Sequence, residues 1–351
     1  MIHIKVPARI CFYGDHQDYL GLPVIAGTIN RYIELKAVPN SSNNFKIKLR
    51  DLNNSVSLPI NDSLIKIKNG DYFRSSMAIL KKKGFVFDKG YTIEISGNIP
   101  VNAGLSSSSA LVVCWLRFLV EIQEKLIPVT DIEIGILAYQ AESAYFNQPG
   151  GIMDQYTIAQ GGLLFIDTET EKSSSLSSKM GTLVVAESGI TKQTLQVLKD
   201  ARLYAQNAIK AVQKTVPNYN IKDSIKTDYD KYKALVPSKF QSHWYATIHN
   251  YDITKRARVE LQKTNPDTAV LGKLMNDHQE ILQNQIKNTP EKMTKMMYAA
   301  LKAGALGTKI IGSGGGGCMV AITNDDSKEK TINAFLASGA VAAYEVKLTQ
   351  N

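Results

Sequence analysis

Residues 100–110, PVNAGLSSSSA, constrain the fold of this 351-residue chain more than any other segment. They follow an alternating pattern at 91–96 that predicts a strand, and they lead into an apolar run that predicts a helix over 106–124. A helix start after a strand and a glycine presents unpaired backbone N–H groups and the positive end of the helix dipole at one point. The segment therefore predicts an anion-binding helix start, with serine hydroxyls that suit a hard cation.

Residues 104–110, here called the serine loop, also have a plainer interpretation. Serine is a common N-cap residue, and one serine would suffice to cap the helix. Four serines behind Gly104 favour phosphate binding over a simple cap. The loop is not a Walker loop, because no lysine follows a second glycine, and it has no GxSxG hydrolase elbow.

Residues 312–317, GSGGGG, form a second glycine-rich segment, here called the glycine loop. It lies between predicted strands at 309–311 and 318–323, so no helix follows it and its match to GxGxxG is weak. Five glycines lose much conformational entropy on folding, which is a large cost for a segment that only connects two strands. We expect this loop to fold closely against a ligand or against the serine loop, and a flexible turn is the alternative.

Two acids lie on either side of Pro149-Gly150-Gly151. Glu142 is near the end of a helix predicted from about 131 to 146, and Asp154 lies in GGIMDQ, near the start of another helix predicted from Met153 onward. Each could be an ordinary helix residue, Asp154 as a first-turn acid that complements the helix dipole. Phosphoryl transfer needs a metal ligand and a carboxylate that orients the attacking hydroxyl. The two acids suit these roles if the fold brings them to the serine loop.

A polar loop follows the first predicted strand. Several donors and acceptors in one rigid loop suit the recognition of a polyol, because each hydroxyl needs a partner. An ordinary turn with a surface histidine is the alternative. The group comprises Arg9, Asp15, His16 and Asp18.

Composition and charge argue against several classes of protein. Apolar residues make up 44% and charged residues 21%, which is ordinary for a globular protein and excludes disorder. The net charge is +9, but the lysines are scattered. The densest run, Lys81–Lys83 before Gly84, is typical of a helix C-terminus. We therefore expect no nucleic-acid partner.

Neither a membrane anchor nor an exported disulfide scaffold is expected. The apolar run Ala110–Val120 has eleven residues and contains Arg117, so it is too short and too charged to cross a bilayer. The N-terminus lacks the apolar stretch of a signal peptide. The cysteines are odd in number and widely spaced, which predicts a reducing, cytoplasmic location: Cys11, Cys114 and Cys318.

The order of predicted elements indicates an α+β fold. Strands dominate the first third, and long helices with returning strands follow after about 185. A polar, serine-rich stretch over 168–180 marks the change. We expect an N-terminal domain over 1–180 that carries the serine loop, and a C-terminal domain over 181–351 that carries the glycine loop.

Several motifs, in this order, resemble those of the GHMP kinase superfamily (galacto-, homoserine, mevalonate and phosphomevalonate kinases). Three belong to the superfamily as a whole: PARICFYGDHQDY at 7–19, PVNAGLSSSSA at 100–110 and KIIGSGGGGCMVAI at 309–322. Three others resemble the galactokinase branch: GGIMDQ at 150–155, GGLLFID at 161–167 and LGKLMNDHQEIL at 271–282. The resemblance implies a ribosomal S5 domain 2-like N-terminal domain and a ferredoxin-like C-terminal domain, with the site between them.

The resemblance also implies roles for individual residues. It implies that Asp154 is the catalytic base, that Arg9 keeps it ionised, and that Ser108 and Glu142 hold Mg²⁺. The residues that it places around ATP are Gly104, Leu105, Ser106, Ser107, Ser108, Ser109 and Ala110. The residues that it places around a sugar are Asp15, His16, Asp18 and Gly151.

The chain departs from the galactokinase pattern at three places. Asp15 and Gln17 stand where galactokinases usually carry Glu and Thr, and an acid shorter by one methylene moves its carboxylate by about 1 Å. Galactokinases also have a tyrosine soon after the crossover between domains, in a serine-rich stretch, whereas this chain has Lys192 in that region. Lys192 suits an anionic sugar such as a uronate or a sugar phosphate, and a solvated lysine at a helix start is the alternative.

The expected function is an ATP- and Mg²⁺-dependent kinase that phosphorylates a sugar hydroxyl. By analogy with the galactokinase branch, we expect the anomeric (C1) hydroxyl of galactose, a related sugar or a uronic acid. A GHMP kinase with a non-sugar acceptor of the mevalonate type is one alternative. A sugar or ATP sensor without catalysis is the other, and the presence of all four residues required for phosphoryl transfer argues against it.

Overall fold

The computed structural model describes residues 1–350 apart from Asn102, Lys125–Leu126, Ser177–Ser178 and Gln193, together with the backbone but not the side chains of 194–197. Two sheets organise the chain. The strands of the first sheet lie in the order Asn54–Pro59, Asn44–Leu49, Gly90–Gly97, Val24–Asn40, Leu163–Asp167 and Lys172–Ser175, and Ile2–Tyr13 pairs antiparallel to Val24–Asn40. The strands of the second sheet lie in the order Ala342–Val346, Thr182–Glu187, Cys318–Thr323 and Gly307–Ile310. The expected α+β class is confirmed, while the boundary between 180 and 181 stays a prediction.

Apolar or alternating segments form most of the strands. Those of the first sheet are β1 (Ile2–Tyr13), β2 (Val24–Asn40), β3 (Asn44–Leu49), β4 (Asn54–Pro59), β5 (Gly90–Gly97), β6 (Leu163–Asp167) and β7 (Lys172–Ser175). Those of the second sheet are β8 (Thr182–Glu187), β9 (Gly307–Ile310), β10 (Cys318–Thr323) and β11 (Ala342–Val346).

Helices cover the sheets and fill the second half of the chain. Those of the first half are α1 (Tyr72–Lys82), α2 (Ser107–Glu121), α3 (Asp131–Glu142) and α4 (Met153–Gln160). Those of the second half are α5 (Thr194–Thr215), α6 (Asp228–Tyr232), α7 (Ser238–Leu261), α8 (Thr268–Ile281), α9 (Glu291–Lys302) and α10 (Lys328–Ala337). A π-helical turn, Leu282–Ile286, extends α8. Every helix among the described residues is too short or too polar to span a bilayer.

Helix α2 is the central helix of the N-terminal half. Its sequence is apolar on all sides, and Val112 to Leu116, Phe118 and Leu119 are buried. Trp115 and Phe118 meet Phe45 of β3 in an aromatic cluster, which contributes packing beyond simple burial. A helix held on every side has a fixed axis, so the position of its N-terminus is fixed as well.

Most predicted elements are present, with differences at their ends. The loop predicted at 39–44 is shorter, because β2 continues to Asn40 and pairs there with β5. The helix predicted over 131–146 ends at Glu142 and is followed by a 3₁₀ turn over Ala144–Phe146. The polar stretch 168–180 contains β7, which gains its hydrogen bonds by pairing with β6. The lysine run at 81–83 does end helix α1, as its sequence predicts.

Candidate active site

A cavity of about 370 Å³ opens where four segments meet. They are the loop after β1, the serine loop, the start of α4 and the glycine loop. All the candidate site residues named from the sequence except the buried Leu105 and Ala110 line it. The fold therefore brings together segments that are far apart in the chain.

The start of α2 is not capped by its own serine. Ser106 has a φ of +57°, in the left-handed region, and its side chain makes no capping bond. Its hydroxyl instead donates to Asp154 Oδ2 over 2.5 Å. The capping interpretation of the serine loop is therefore wrong for Ser106, and the first turn of α2 directs its N–H groups at the cavity lined by Ser107, Ser108 and Ser109.

Arg9 and Asp154 form a two-pronged ion pair. Arg9 Nε donates to Asp154 Oδ1 and Nη2 donates to Oδ2, both over 2.7 Å, while Nη1 donates to the Gly104 carbonyl over 2.8 Å. Burial raises the pKa of Asp154, but the Arg9 charge and the hydrogen bonds from Arg9 and Ser106 outweigh it and hold that pKa below its ordinary value. Asp154 is therefore ionised at neutral pH and held in one orientation.

Glu142, the last residue of α3, lies on another side of the cavity. Gln155 Nε2 donates to its Oε2 over 2.7 Å. Burial raises the pKa of Glu142, and hydrogen bonds from Ser108, Gln155 and Ser109 lower it only in part. Two acids twelve positions apart in the chain thus have opposite pKa shifts, because one has a cationic partner and the other does not.

The oxygen donors around Glu142 fit a magnesium ion. A buried carboxylate with a raised pKa gains stability from a cation, and the Ser108 hydroxyl offers a second hard ligand. No group of three or more His, Cys, Asp or Glu side chains is placed for a metal within the described residues. Mg²⁺ in phosphoryl-transfer sites is usually bound by one or two carboxylates together with substrate phosphates, so this sparse donor set is adequate.

Asp18 and Gly151 form a close contact at the same cavity. A Cβ at position 151 would collide with the Asp18 carboxylate, so glycine is what allows this acid to approach. Burial, followed by repulsion from Asp154, raises the pKa of Asp18 to about 7. Asp18 can therefore serve as a hydrogen-bond donor or acceptor near neutral pH.

His16 connects the polar loop to the glycine loop. Its Nδ1 lies 2.9 Å from the Tyr19 hydroxyl, and its Nε2 lies 3.1 Å from both the Ser313 carbonyl and Asn288 Nδ2. Burial lowers the pKa of His16 to about 4, so the ring is neutral at pH 7. The ordinary-turn alternative fails for this residue, because His16 is buried and tied to the C-terminal half of the chain.

Asp15 is paired with Lys309 of β9. Lys309 Nζ lies 2.7 Å from Asp15 Oδ2 and also donates to the carbonyls of Cys11 and Ile310, over 2.9 and 2.7 Å. Both side chains are almost fully buried. The negative charge of Asp15 is thus neutralised by the second domain, and its contact with a sugar stays a prediction.

Three contributors to the site were not identified from the sequence. Lys309 lies in a buried strand. A charged residue in such an apolar segment indicates an oppositely charged partner in the interior, and this signal could have identified it. Asn288 donates to the Ser313 carbonyl over 3.0 Å and orients the glycine loop, but nothing in its sequence context marks it. Gln155 was quoted only as part of GGIMDQ, although it holds Glu142.

The fold and this site define a phosphotransferase. The family model of the GHMP kinases N terminal domain matches residues 71–162, and that of the GHMP kinases C terminal domain matches residues 257–341. The chain therefore belongs to the GHMP kinase superfamily, on its galactokinase-like branch, and it is an enzyme that phosphorylates an alcohol group. The sensor without catalysis is thereby set aside.

Known relatives lie on two branches. The chain is 28% identical to a galactokinase of Clostridium acetobutylicum over 94% of this chain and 87% of that protein. It is 27% identical to a mevalonate kinase of Thermococcus gammatolerans over 97% of this chain and 95% of that protein. Its fold matches that of Lactococcus lactis galactokinase complexed with galactose at a TM-score of 0.86, with 21% identity over 99% of this chain and 93% of that one.

Proposed function

We propose that this protein is an ATP- and Mg²⁺-dependent sugar kinase of the cytoplasm. The phosphoryl group would pass to the anomeric C1 hydroxyl of galactose, a related sugar or a uronic acid. The observation that carries the proposal is the Arg9–Asp154 pair, fixed by Ser106 beside the open helix start. The galactokinase relatives support a sugar as acceptor, and three buried cysteines without disulfides support the location.

In this proposal the serine loop binds the phosphates of ATP. Backbone N–H groups at the start of α2 and the helix dipole favour negative charge there, and they are already oriented before the reaction. Ser108 and Glu142 would hold Mg²⁺, which supplies charge neutralisation on the phosphates when bound. Residues 104–110 form the ATP phosphate site, beginning at Gly104 and ending at Ala110.

Asp154 orients the acceptor hydroxyl and receives its proton. An ionised carboxylate held by Arg9 and Ser106 cannot rotate freely, so its free lone pairs point in fixed directions. Arg9 also supplies positive charge next to the oxygen that attacks. The sugar hydroxyls that are not phosphorylated would contact Asp18, His16 and Gly151, and Asp15 would lie next to these residues.

A mevalonate-type acceptor is the second candidate, and one observation favours it: the mevalonate kinase relative matches nearly the whole chain. The test is release of ADP from MgATP with a panel of neutral sugars, uronic acids, sugar phosphates and mevalonate. We expect a sugar to respond, with NMR of the product placing the phosphate on C1. The 1-O-methyl glycoside of that sugar should be inert. Response to mevalonate alone would overturn the proposal.

A further inference from the structure

Lys192 occupies an unusual place in the active-site cavity. Its ammonium lies 3.1 Å from the position that a Cβ would take at Gly312 and 3.5 Å from the equivalent position at Gly104. The two glycines come from the glycine loop and the serine loop, and both have positive φ. The bare backbone at both positions leaves room for the ammonium between the two loops. Lys192 is partly exposed and lines the cavity between the two loops.

The other cations of this cavity are already bonded. Arg9 is paired with Asp154, and the neighbouring Lys309 is paired with Asp15. Within the part of the chain that the structure describes, the Lys192 ammonium has neither a hydrogen bond nor an ion pair. Burial and the Arg9 charge accordingly lower the pKa of Lys192 to about 8. Lys192 is partly exposed in the cavity, and a ligand that fills the cavity would remove water from this cation, so an anionic group on that ligand would stabilise it.

Lys192 lines the same cavity as Asp154, the proposed base, and His16 of the polar loop. Its charge acts on both of these groups. The groups that bond to Glu142 are instead Ser108, Ser109 and Gln155. Lys192 therefore lies close to the region between the base and the polar loop, where the acceptor would bind, and it also borders Gly104 of the serine loop.

We propose that the acceptor is itself an anion, an alcohol that carries a carboxylate or phosphate group bound by Lys192 in addition to the hydroxyl that is phosphorylated. This rests on the proposed function for the reacting hydroxyl and narrows its substrate class. Arg9 and Lys309 are neutralised by their own acids, so Lys192 holds the positive charge left for a ligand. Asp18 does not compete strongly for it, because its pKa near 7 leaves it partly neutral.

The experiment compares acceptors that differ only in charge. Initial rates are measured at pH 7.0 with MgATP and the pairs galactose and galacturonate, glucose and glucuronate, and galactose and galactose 6-phosphate, with mevalonate as a non-sugar anion. We expect kcat/KM for the preferred anion to exceed that of its neutral counterpart about 10- to 100-fold, the range of one charge-assisted hydrogen bond.

Three variants assign the preference to Lys192. Lys192→Met should remove the preference by raising the acceptor KM. It should leave the KM and the dissociation constant of ATP within about twofold, since the start of α2, Ser108 and Glu142 are unchanged. Lys192→Arg should keep the preference. Lys199→Met removes an exposed lysine of α5 and is the matched control, with unchanged kinetics. Thermal unfolding checks that Lys192→Met folds, which is expected because Lys192 is partly exposed and the substitution removes no ion pair.

Each outcome decides between the two proposals. A uronate or sugar phosphate as preferred acceptor supports both, and mevalonate as sole acceptor supports the anionic class while overturning the sugar assignment. A neutral sugar as preferred acceptor leaves the sugar kinase standing and overturns the role of Lys192. An increase in the ATP KM of Lys192→Met, equal for all acceptors, would place the ammonium on the transferred phosphate and also overturn it.

Discussion

The serine loop and the glycine loop are both rich in small residues, yet they use their backbones in opposite ways. The serine loop leads into α2, and the first turn of that helix leaves its N–H groups directed at the cavity. In the glycine loop two N–H groups donate within the protein: Gly315 to the Asn288 carbonyl over 2.6 Å, and Gly317 to the Ile190 carbonyl over 3.0 Å. The serine loop therefore offers backbone donors to a ligand, whereas these two donors of the glycine loop hold that loop in place.

The contact between the loops explains the glycines. A Cβ at Gly317 would lie 2.6 Å from the Ala103 carbonyl, and one at Gly314 would lie 2.5 Å from the Asn288 carbonyl. Cys318 N–H then donates to the Ala103 carbonyl over 2.7 Å. A Cβ at Gly312 would lie 3.5 Å from the Gly104 carbonyl oxygen, which confirms the expectation that the glycine loop folds against the serine loop. The glycines of the glycine loop thus allow close backbone approach, whereas the helix that follows the serine loop suits that loop to an anion.

The largest expected effect is the loss of kcat when Asp154, the proposed base beside the serine loop, is replaced. Asp154→Asn keeps the shape but cannot accept a proton, so we expect kcat to fall at least about 1000-fold. ATP should still bind within about threefold, because the helix start supplies that site. Steady-state rates and nucleotide titration measure the two effects, and Asp326→Asn, at an exposed acid, is the control. Full activity in Asp154→Asn would refute the assignment.

The next effect concerns the anchor of the glycine loop. Lys309→Met leaves the buried Asp15 without its cation, and we expect the free energy of unfolding to drop by about 3–5 kcal/mol. The double variant Lys309→Met with Asp15→Asn should be more stable than Lys309→Met alone. Urea unfolding measures both. Equal stability of the two variants would show that the pair does not couple the strands.

Alanine substitutions at two glycines distinguish the cost of overpacking from the cost of backbone strain. Gly317 and Gly84 have φ of +86° and +89°, but a Cβ at Gly84 meets nothing within 4 Å. Gly84→Ala should cost about 1–2 kcal/mol of unfolding free energy from the left-handed backbone alone. Gly317→Ala should cost a further 1–3 kcal/mol, roughly, from overpacking against Ala103, and it should also lower kcat. Equal losses in thermal or urea unfolding would remove the packing argument.

The smallest effect is a pH dependence of acceptor binding. Lys192 has a pKa of about 8, so it is charged below pH 8 and loses its charge above it. We expect kcat/KM for an anionic acceptor to fall by about tenfold per pH unit above 8 in the wild type and to stay level in Lys192→Arg. The charged or titratable groups that act on Lys192 or face it are Arg9, Asp154, Asp15, Cys318 and His16. A level wild-type profile would contradict the prediction.

Local pattern predicted most of the elements. The strand Cys318–Thr323 and the start of α4 at Met153 agree with the sequence prediction, since apolar runs and a preceding glycine turn mark both. Strand β7 was missed because Lys172–Ser175 has no apolar alternation, and it forms only by pairing with β6. The candidate residues were recognised from motifs, but their distances and charge states were not.

By itself the sequence determined that a helix would begin at the serine loop and that oxygen-bearing side chains suited to phosphate and metal chemistry would accompany it. Backbone hydrogen bonding and hydrophobic period act within a few residues, so these features are local. Tertiary structure decided the pairing of Arg9 with Asp154, 145 residues apart, and the place of Lys192 between the two loops. Those contacts depend on how the two sheets and α2 pack. Their packing determines that Arg9 pairs with Asp154 and that Lys192 is left for a ligand.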